Sequence, residues 1–359
     1  MASSDIQHRL TACRDLSYSY VQQLLQLHRG VGWRQWSRNL AIALLLLGAL
    51  LPPNGAWALD HGRPVNIGAL TTSWGPPPYV VGLRDGLVAL GYRENEHFAI
   101  GTRFVSGKLA KLPGAAQELV EAGVDIIIAG GTPAVIAAQR ITHSIPVVFV
   151  ISVDPVKAGL VRSYSRPGGN ITGVTGDHTS LGPKRLEIFK NMIPGLKNVM
   201  FVYDIREFGS AIQATSYRDT ARLLGIDIVE HAVRTESEAN AAFAGFEKGQ
   251  VDGILAPYTP SMNIPGIAAK AATQKRIPAM FPYAFWVERG GLASYGPNLY
   301  SMGQQVARMV DKIMRGVKPA EIPVEVNNDI EFAVNLKTAK ALGIKIPPEV
   351  LYQANRIVR

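Results

Sequence analysis

From residue 59 onward, short apolar runs alternate with stretches of helical spacing. Residues 65–70 (VNIGAL) read as a strand. In 79–91 the apolar positions Val80, Leu83, Leu87 and Leu90 recur at helical intervals and the stretch ends on a glycine. Residues 98–105 alternate as a strand does. Residues 109–122 put Leu112, Ala116, Leu119 and Val120 on one helical face. Residues 124–129 (VDIIIA) predict a buried strand, 133–142 a helix of small residues, and 145–151 (IPVVFVI) another buried strand. Near-continuous Val/Ile runs between helices imply a parallel sheet covered on both faces.

The alternation then restarts. Helices are expected at 181–192, 210–224, 237–247 and 264–274, with strands at 198–203, 227–231, 253–257 and 279–281. Two βα series of domain size predict two similar α/β lobes. The glycine-rich stretch 166–176 (RPGGNITGVTG) reads as the link between them, glycine supplying the freedom of a hinge. A helix at 299–315, a strand at 331–335 and a short helix at 336–342 make a tail suited to crossing back between lobes, which the pattern alone does not decide.

The first 58 residues follow another rule. Arg34 and Arg38 precede an apolar run from Leu40 to Leu51, then a Pro-Pro-Asn-Gly break and Ala56-Trp57-Ala58. That order is a secretory signal peptide over 34–58, with cleavage after Ala58 and a periplasmic product. Twelve apolar residues are too few for a spanning helix, which needs about 20. Residues 1–33 are an extension or reflect a misplaced start near Val31. Removing 1–58 takes away five Arg and two Asp, so the net charge falls from +9 to +6. It also removes Cys13, and a single cysteine makes neither an internal disulfide nor a zinc cage.

Composition narrows the classes. At 47% hydrophobic and 18% charged, the 359 residues form a real core rather than a disordered chain. The basic balance lacks any run of five Lys/Arg, which argues against nucleic acid as a partner.

Ligands of open parallel sheets bind beyond the carboxyl ends of the strands. The residues there are Thr72, Ser73 and Trp74, then Tyr79; Gly130, Gly131, Thr132 and Pro133; and Asp154. The second series adds Tyr203, Asp204, Tyr258, Phe285, Trp286 and, after Gly291, Tyr295. Hydroxyls and glycines at helix starts suit a carboxylate, and aromatic rings suit an apolar ligand body. Each has a plainer reading: Thr132 as an N-cap ahead of Pro133, Asp154 as a turn former, Tyr258, Phe285 and Trp286 as lobe core. No phosphate loop, G-x-S-x-G or H-E-x-x-H motif is present, and the five histidines beyond residue 58, at 61, 97, 143, 178 and 231, are scattered. No catalytic residue, metal site or cofactor is expected.

Several blocks together resemble one family: GLRDGLVALGY (82–92), ELVEAGVDIIIAGGTPAVIAAQ (118–139), IPVVFVISVDPVKAGLVRSYSRPGGNITGVT (145–175), GPKRLEIFKNMIPG (182–195), GGLASYGPNLYSMGQQVA (290–307) and FAVNLKTAKALGIKIPPEVL (332–351). The chain is similar to the ABC-transporter substrate-binding proteins related to tryptophan/tyrosine-binding lipoproteins, with a type I periplasmic-binding fold. The resemblance implies two Rossmann-like lobes joined by three crossings, with 63–174 plus 296–325 as the first lobe and 175–295 plus 326–359 as the second. It implies a ligand held between the lobes, an ABC permease and ATPase as partners, a monomer, and no enzymatic step. The ligand expected is a small organic solute, aromatic or carboxylate-bearing and amino-acid-like, with Asp154 or Asp204 available to pair an amine. The alternatives are a sensor presenting its solute to a membrane receptor and an exported α/β enzyme. The chain departs from the family pattern in Trp74 with its three following prolines and in the loop 203–208. No cysteine follows the apolar run, so no lipid anchor is expected.

Overall fold

The computed structural model describes residues 63–359 except 153, 177–180, 247–248 and 259–260. The export segment, its cleavage site and Cys13 lie outside the described residues. Leu59–Arg359 forms one unit by itself.

The first series gives β1 (Val65–Thr71), α1 (Pro78–Ala89), β2 (Phe98–Phe104), α2 (Leu112–Glu121), β3 (Ile126–Gly130), α3 (Thr132–Ile141), β4 (Val147–Ser152) and β5 (Ile171–Gly176). The second gives α4 (Leu181–Met192), β6 (Asn198–Asp204), α5 (Phe208–Leu224), β7 (Asp227–Val233), α6 (Glu236–Gly245), β8 (Gly253–Leu255), α7 (Ile264–Lys275), β9 (Ala279–Phe281), α8 (Ala284–Val287) and β10 (Ala293–Pro297). The tail is α9 (Leu299–Met314), β11 (Glu325–Asn327), β12 (Ile330–Asn335), α10 (Leu336–Leu342), α11 (Pro348–Leu351) and β13 (Arg356–Val358).

Two sheets result. The first runs β11-β5-β4-β3-β1-β2 and is parallel throughout. The second runs β13-β12-β10-β9-β8-β6-β7 and is parallel except where β10 meets β12. Each is doubly wound, reversing strand order between β1 and β3 and between β6 and β8. Residues of alternate parity in each strand feed opposite cores. In the first sheet Ile67, Ile128 and Val148 face α1 and α9, while Leu70, Ile127 and Phe149 face α2 and α3. In the second, Phe201 and Leu255 face α4 and α5, while Met200 and Ile254 face α6 and α7.

The expected hinge at 166–176 needs correction. Ile171–Gly176 is a strand, buried at every position, between β4 and β11. A Cβ on Gly173 would stand 2.3 Å from the Phe149 carbonyl oxygen, so this glycine permits close strand packing rather than bending. Gly168 and Gly169, at φ +74° and +71°, make the turn into β5. The chain changes sheets three times instead: between Gly176 and Leu181, between Pro297 and Leu299, and between Asn327 and Ile330. The stretch beginning at Ala293, read as a strand-end loop, is β10 itself.

After the second crossing, α9 joins the core of the first sheet. It lies so close to α1 that a Cβ on Gly82 would stand 2.0 Å from the Tyr300 carbonyl oxygen, and one on Gly303 would stand 2.1 Å from that of Tyr79. This contact fixes α1, and with it the side chain of Tyr79, relative to a crossing segment.

Candidate functional site

Both switch points open onto the same space, as the strand-end rule requires. The space has two compartments. An inner chamber of about 90 Å³ is walled by Thr71–Trp74, Pro77–Tyr79, Gly130, Gly131, Ile151, Pro257, Tyr258, Pro265, Tyr283, Phe285, Trp286 and Leu299. An outer cleft of about 550 Å³ shares Gly131, Ile151 and Tyr258 with it and adds Thr132, Pro133, Ile136, Arg140, Lys157, Arg206, Glu207 and Gly209. Residues of both α/β series line each compartment.

Glycines seat the chamber's tyrosines. Tyr79, in the first turn of α1, lies over Gly130, where a Cβ would stand 1.9 Å from its hydroxyl oxygen. Tyr258, just beyond β8, lies over Gly209, where a Cβ would stand 1.6 Å from its hydroxyl oxygen. Burial pushes the hydroxyls of Tyr79, Tyr258 and Tyr283 well above the usual tyrosine range, so all three stay neutral. The aromatic rings engage one another: Trp74 meets Trp286 edge-on at 5.1 Å between centroids, Phe285 meets Trp286 edge-on at 5.1 Å, and Phe281 stacks on Trp286 at 5.7 Å.

Behind Tyr258 lies a buried polar relay. The Arg185 side chain is fully buried; its Nε donates to the Tyr295 carbonyl (2.8 Å) and its Nη1 to the Tyr217 hydroxyl (2.7 Å). Gln213 Nε2 donates to the same hydroxyl (3.2 Å), and its Oε1 accepts from the Tyr258 N–H (3.4 Å). The guanidinium thereby fixes α4, α5 and β10 at the floor of the site.

The outer cleft is polar at two points. Helix α3 begins at Thr132, with Gly131 (φ +88°) as N-cap, so the expected capping role of Thr132 is corrected: Thr132 is the first helical residue and Pro133 the second. The Gly131 carbonyl closes the first turn by accepting from Ala134 and Val135. Opposite stands Glu207, whose carboxylate has no hydrogen-bond donor among the described residues. Burial, and secondarily the neighbouring charge of Asp204, hold its carboxyl above the usual range.

Of the residues singled out from sequence, Thr72, Ser73, Trp74, Tyr79, Tyr258 and Phe285 wall the chamber. Thr132 and Pro133 lie on the cleft, with Tyr258 between the two compartments. Four others have internal partners and line neither compartment. Asp154 ion-pairs with Lys157 (3.1 Å). The Tyr203 hydroxyl donates to Glu230 (2.7 Å). Asp204, 2% exposed, accepts two hydrogen bonds from the Arg206 guanidinium (2.9 and 2.8 Å) and one from the Ser261 hydroxyl (2.6 Å). Burial opposes ionisation of Asp204, but these bonds outweigh it and hold its carboxyl below the usual range. Tyr295 packs on Phe332. Sequence reasoning missed Glu207, three residues past Asp204 in the same loop; the ion pair of Asp204 with Arg206 decides which carboxylate faces the cleft. It also left out Tyr283 and Arg185. Tyr283 was within reach of the strand-end rule, whereas nothing in the local pattern around Arg185 marks it.

Among the described residues no group of three His, Cys, Asp or Glu side chains is placed to hold a metal ion, and no helix is long and apolar enough to cross a membrane.

Comparison with known proteins agrees with this geometry. The family model for ABC transporter substrate binding proteins matches residues 76–358. A tyrosine-binding protein of Clostridioides difficile (strain R20291) is 30% identical over 259 residues, covering 71% of this chain and 73% of its own. The structure of an ABC domain from Streptococcus pneumonia in complex with L-Trp superposes with a TM-score of 0.71 at 27% identity, over 82% of this chain and all of that one. A ligand-free, open substrate binding protein with adhesive properties from Clostridium difficile gives 0.57 at 26% identity, over 82% of this chain and 99% of its own. Two doubly wound lobes, a cleft between their strand ends and a family match over most of the length lead to one conclusion: the chain belongs to the ABC transporter substrate binding protein family.

Proposed function

We propose that this protein is the periplasmic binding component of an ABC importer and that it clamps an amino-acid-like solute between its lobes. The apolar end of the solute enters the aromatic chamber. Its charged end stays in the outer cleft, with the carboxylate near the start of α3 and the ammonium against Glu207. The observation that carries the reading is the pairing of a chamber walled by buried aromatic rings with a cleft that sets a helix N-terminus opposite a carboxylate lacking a hydrogen-bond donor. The tyrosine-binding relative and the L-Trp complex support the ligand class.

The test is a thermal-shift screen of the purified protein against amino acids, aromatic acids and short carboxylates. A ligand that binds only the folded state raises Tm by mass action. A rise with one or more α-amino acids, reduced in Tyr258→Ala, is expected. A rise with sugars or polyamines and none with amino acids would overturn the reading.

A further inference from the structure

The chamber's volume carries a second conclusion, which rests on the reading of the cleft as an amino-acid site. A cavity of about 150 Å³ is what a benzene-sized guest occupies. The chamber offers about 90 Å³. Trp74, which comes from the loop after β1, forms part of its wall and sets its indole edge-on against Trp286 beyond β9, at 5.1 Å between centroids.

That loop is held rather than free. The Thr71 hydroxyl donates to the Ser73 hydroxyl (3.0 Å), the Ser73 N–H donates back to the Thr71 hydroxyl (3.1 Å), and the Ser73 hydroxyl donates to the Gly75 carbonyl (2.6 Å). The carbonyls of Thr72 and Ser73 accept from the N–H groups of Gly107 and Ser106 at 2.8 and 3.1 Å. Three prolines follow and lead directly into α1. Gly107 closes the far side: a Cβ there would stand 3.1 Å from the Trp74 ring and 3.1 Å from Asn263.

We propose that Trp74 is a specificity-determining residue. Its fixed indole occupies the place of a ligand ring, so the site selects L-amino acids with short aliphatic side chains against aromatic ones.

The experiment is calorimetric titration of the full chain, as wild type, Trp74→Ala and Trp74→Phe, with L-valine, L-leucine, L-phenylalanine and L-tryptophan. Wild type is expected to bind L-valine or L-leucine at least about tenfold more tightly than either aromatic amino acid, the scale on which pockets discriminate by volume. Trp74→Ala is expected to gain at least about tenfold for L-phenylalanine and L-tryptophan. Trp74→Phe, which keeps a ring in the wall, gains less and serves if the alanine variant does not fold. Wild-type binding of L-tryptophan as tight as that of L-valine, or no aromatic gain in either variant, would overturn the role of Trp74 while leaving the amino-acid site intact. Silence of all four ligands on folded wild type and folded variants would overturn the amino-acid reading and this inference with it.

Discussion

Replacing Gly209 by alanine tests how the site is built. Gly209 is the second residue of α5, and inside a helix alanine ordinarily gains about 1 kcal/mol over glycine. Here the new Cβ would stand 1.6 Å from the Tyr258 hydroxyl oxygen and 2.7 Å from its ring carbon Cζ. Tyr258 is 4% exposed. Its ring must either strain against α5 or leave its seat toward the cleft it lines. Overpacking of this kind costs about 1–3 kcal/mol, so the sign of the usual glycine-to-alanine effect reverses. The assays are chemical denaturation and ligand titration on Gly209→Ala, Tyr258→Phe and the double variant. Removing the hydroxyl takes away the 1.6 Å contact, so the double variant is expected to recover part of the lost stability, and the two substitutions are non-additive. A stabilising Gly209→Ala, or strictly additive losses, would refute the claim that Gly209 exists to seat Tyr258.

Three further outcomes are expected. Glu207 has a raised folded pKa, so its contribution to stability is fully present below the unfolded value of about 4.3 and is lost as pH rises through the folded value; Glu207→Gln should therefore raise Tm at neutral pH, with the gain vanishing in acid, while weakening any ligand that carries an amine. Asp204 has a depressed folded pKa, so its stability is present above the unfolded value of about 3.9 and lost as pH falls through the folded value; Asp204→Asn should cost about 1–3 kcal/mol at pH 7, read by urea denaturation, and should flatten the acid limb of the stability profile. Gly303→Ala drives a methyl to 2.1 Å from the Tyr79 carbonyl oxygen and should destabilise by about 1–3 kcal/mol despite better helix propensity, measured by thermal denaturation.

Most of the fold was legible because buried parallel strands leave unbroken signatures such as VDIIIA and IPVVFVI. What escaped had a physical reason. ITGVTG carries two glycines and two threonines and so reads as a link, yet its glycine is what allows β5 to lie against Phe149. The three-residue strands β11 and β13 exist through neighbours remote in sequence rather than through local pattern. At the site, the strand-end rule led to the loops that line it and to many of the lining residues, but in the loop after β6 not to the inward-facing one. Asp204 and Glu207 share a loop, and Arg206 decides between them. The aromatic residues read as contacts for an apolar ligand body are found packed on each other.

In the proposed function the cleft binds an amino-acid-like solute through its charged head. Titration calorimetry of one L-amino acid and its amine-free analogue against wild type and Glu207→Gln tests this most directly. One-to-one binding of the amino acid to wild type is expected, weakened by removing either the amine or the Glu207 charge, with little further loss when both are removed. A folded wild type that binds no amino acid, or binding that Glu207→Gln leaves unchanged, would contradict it.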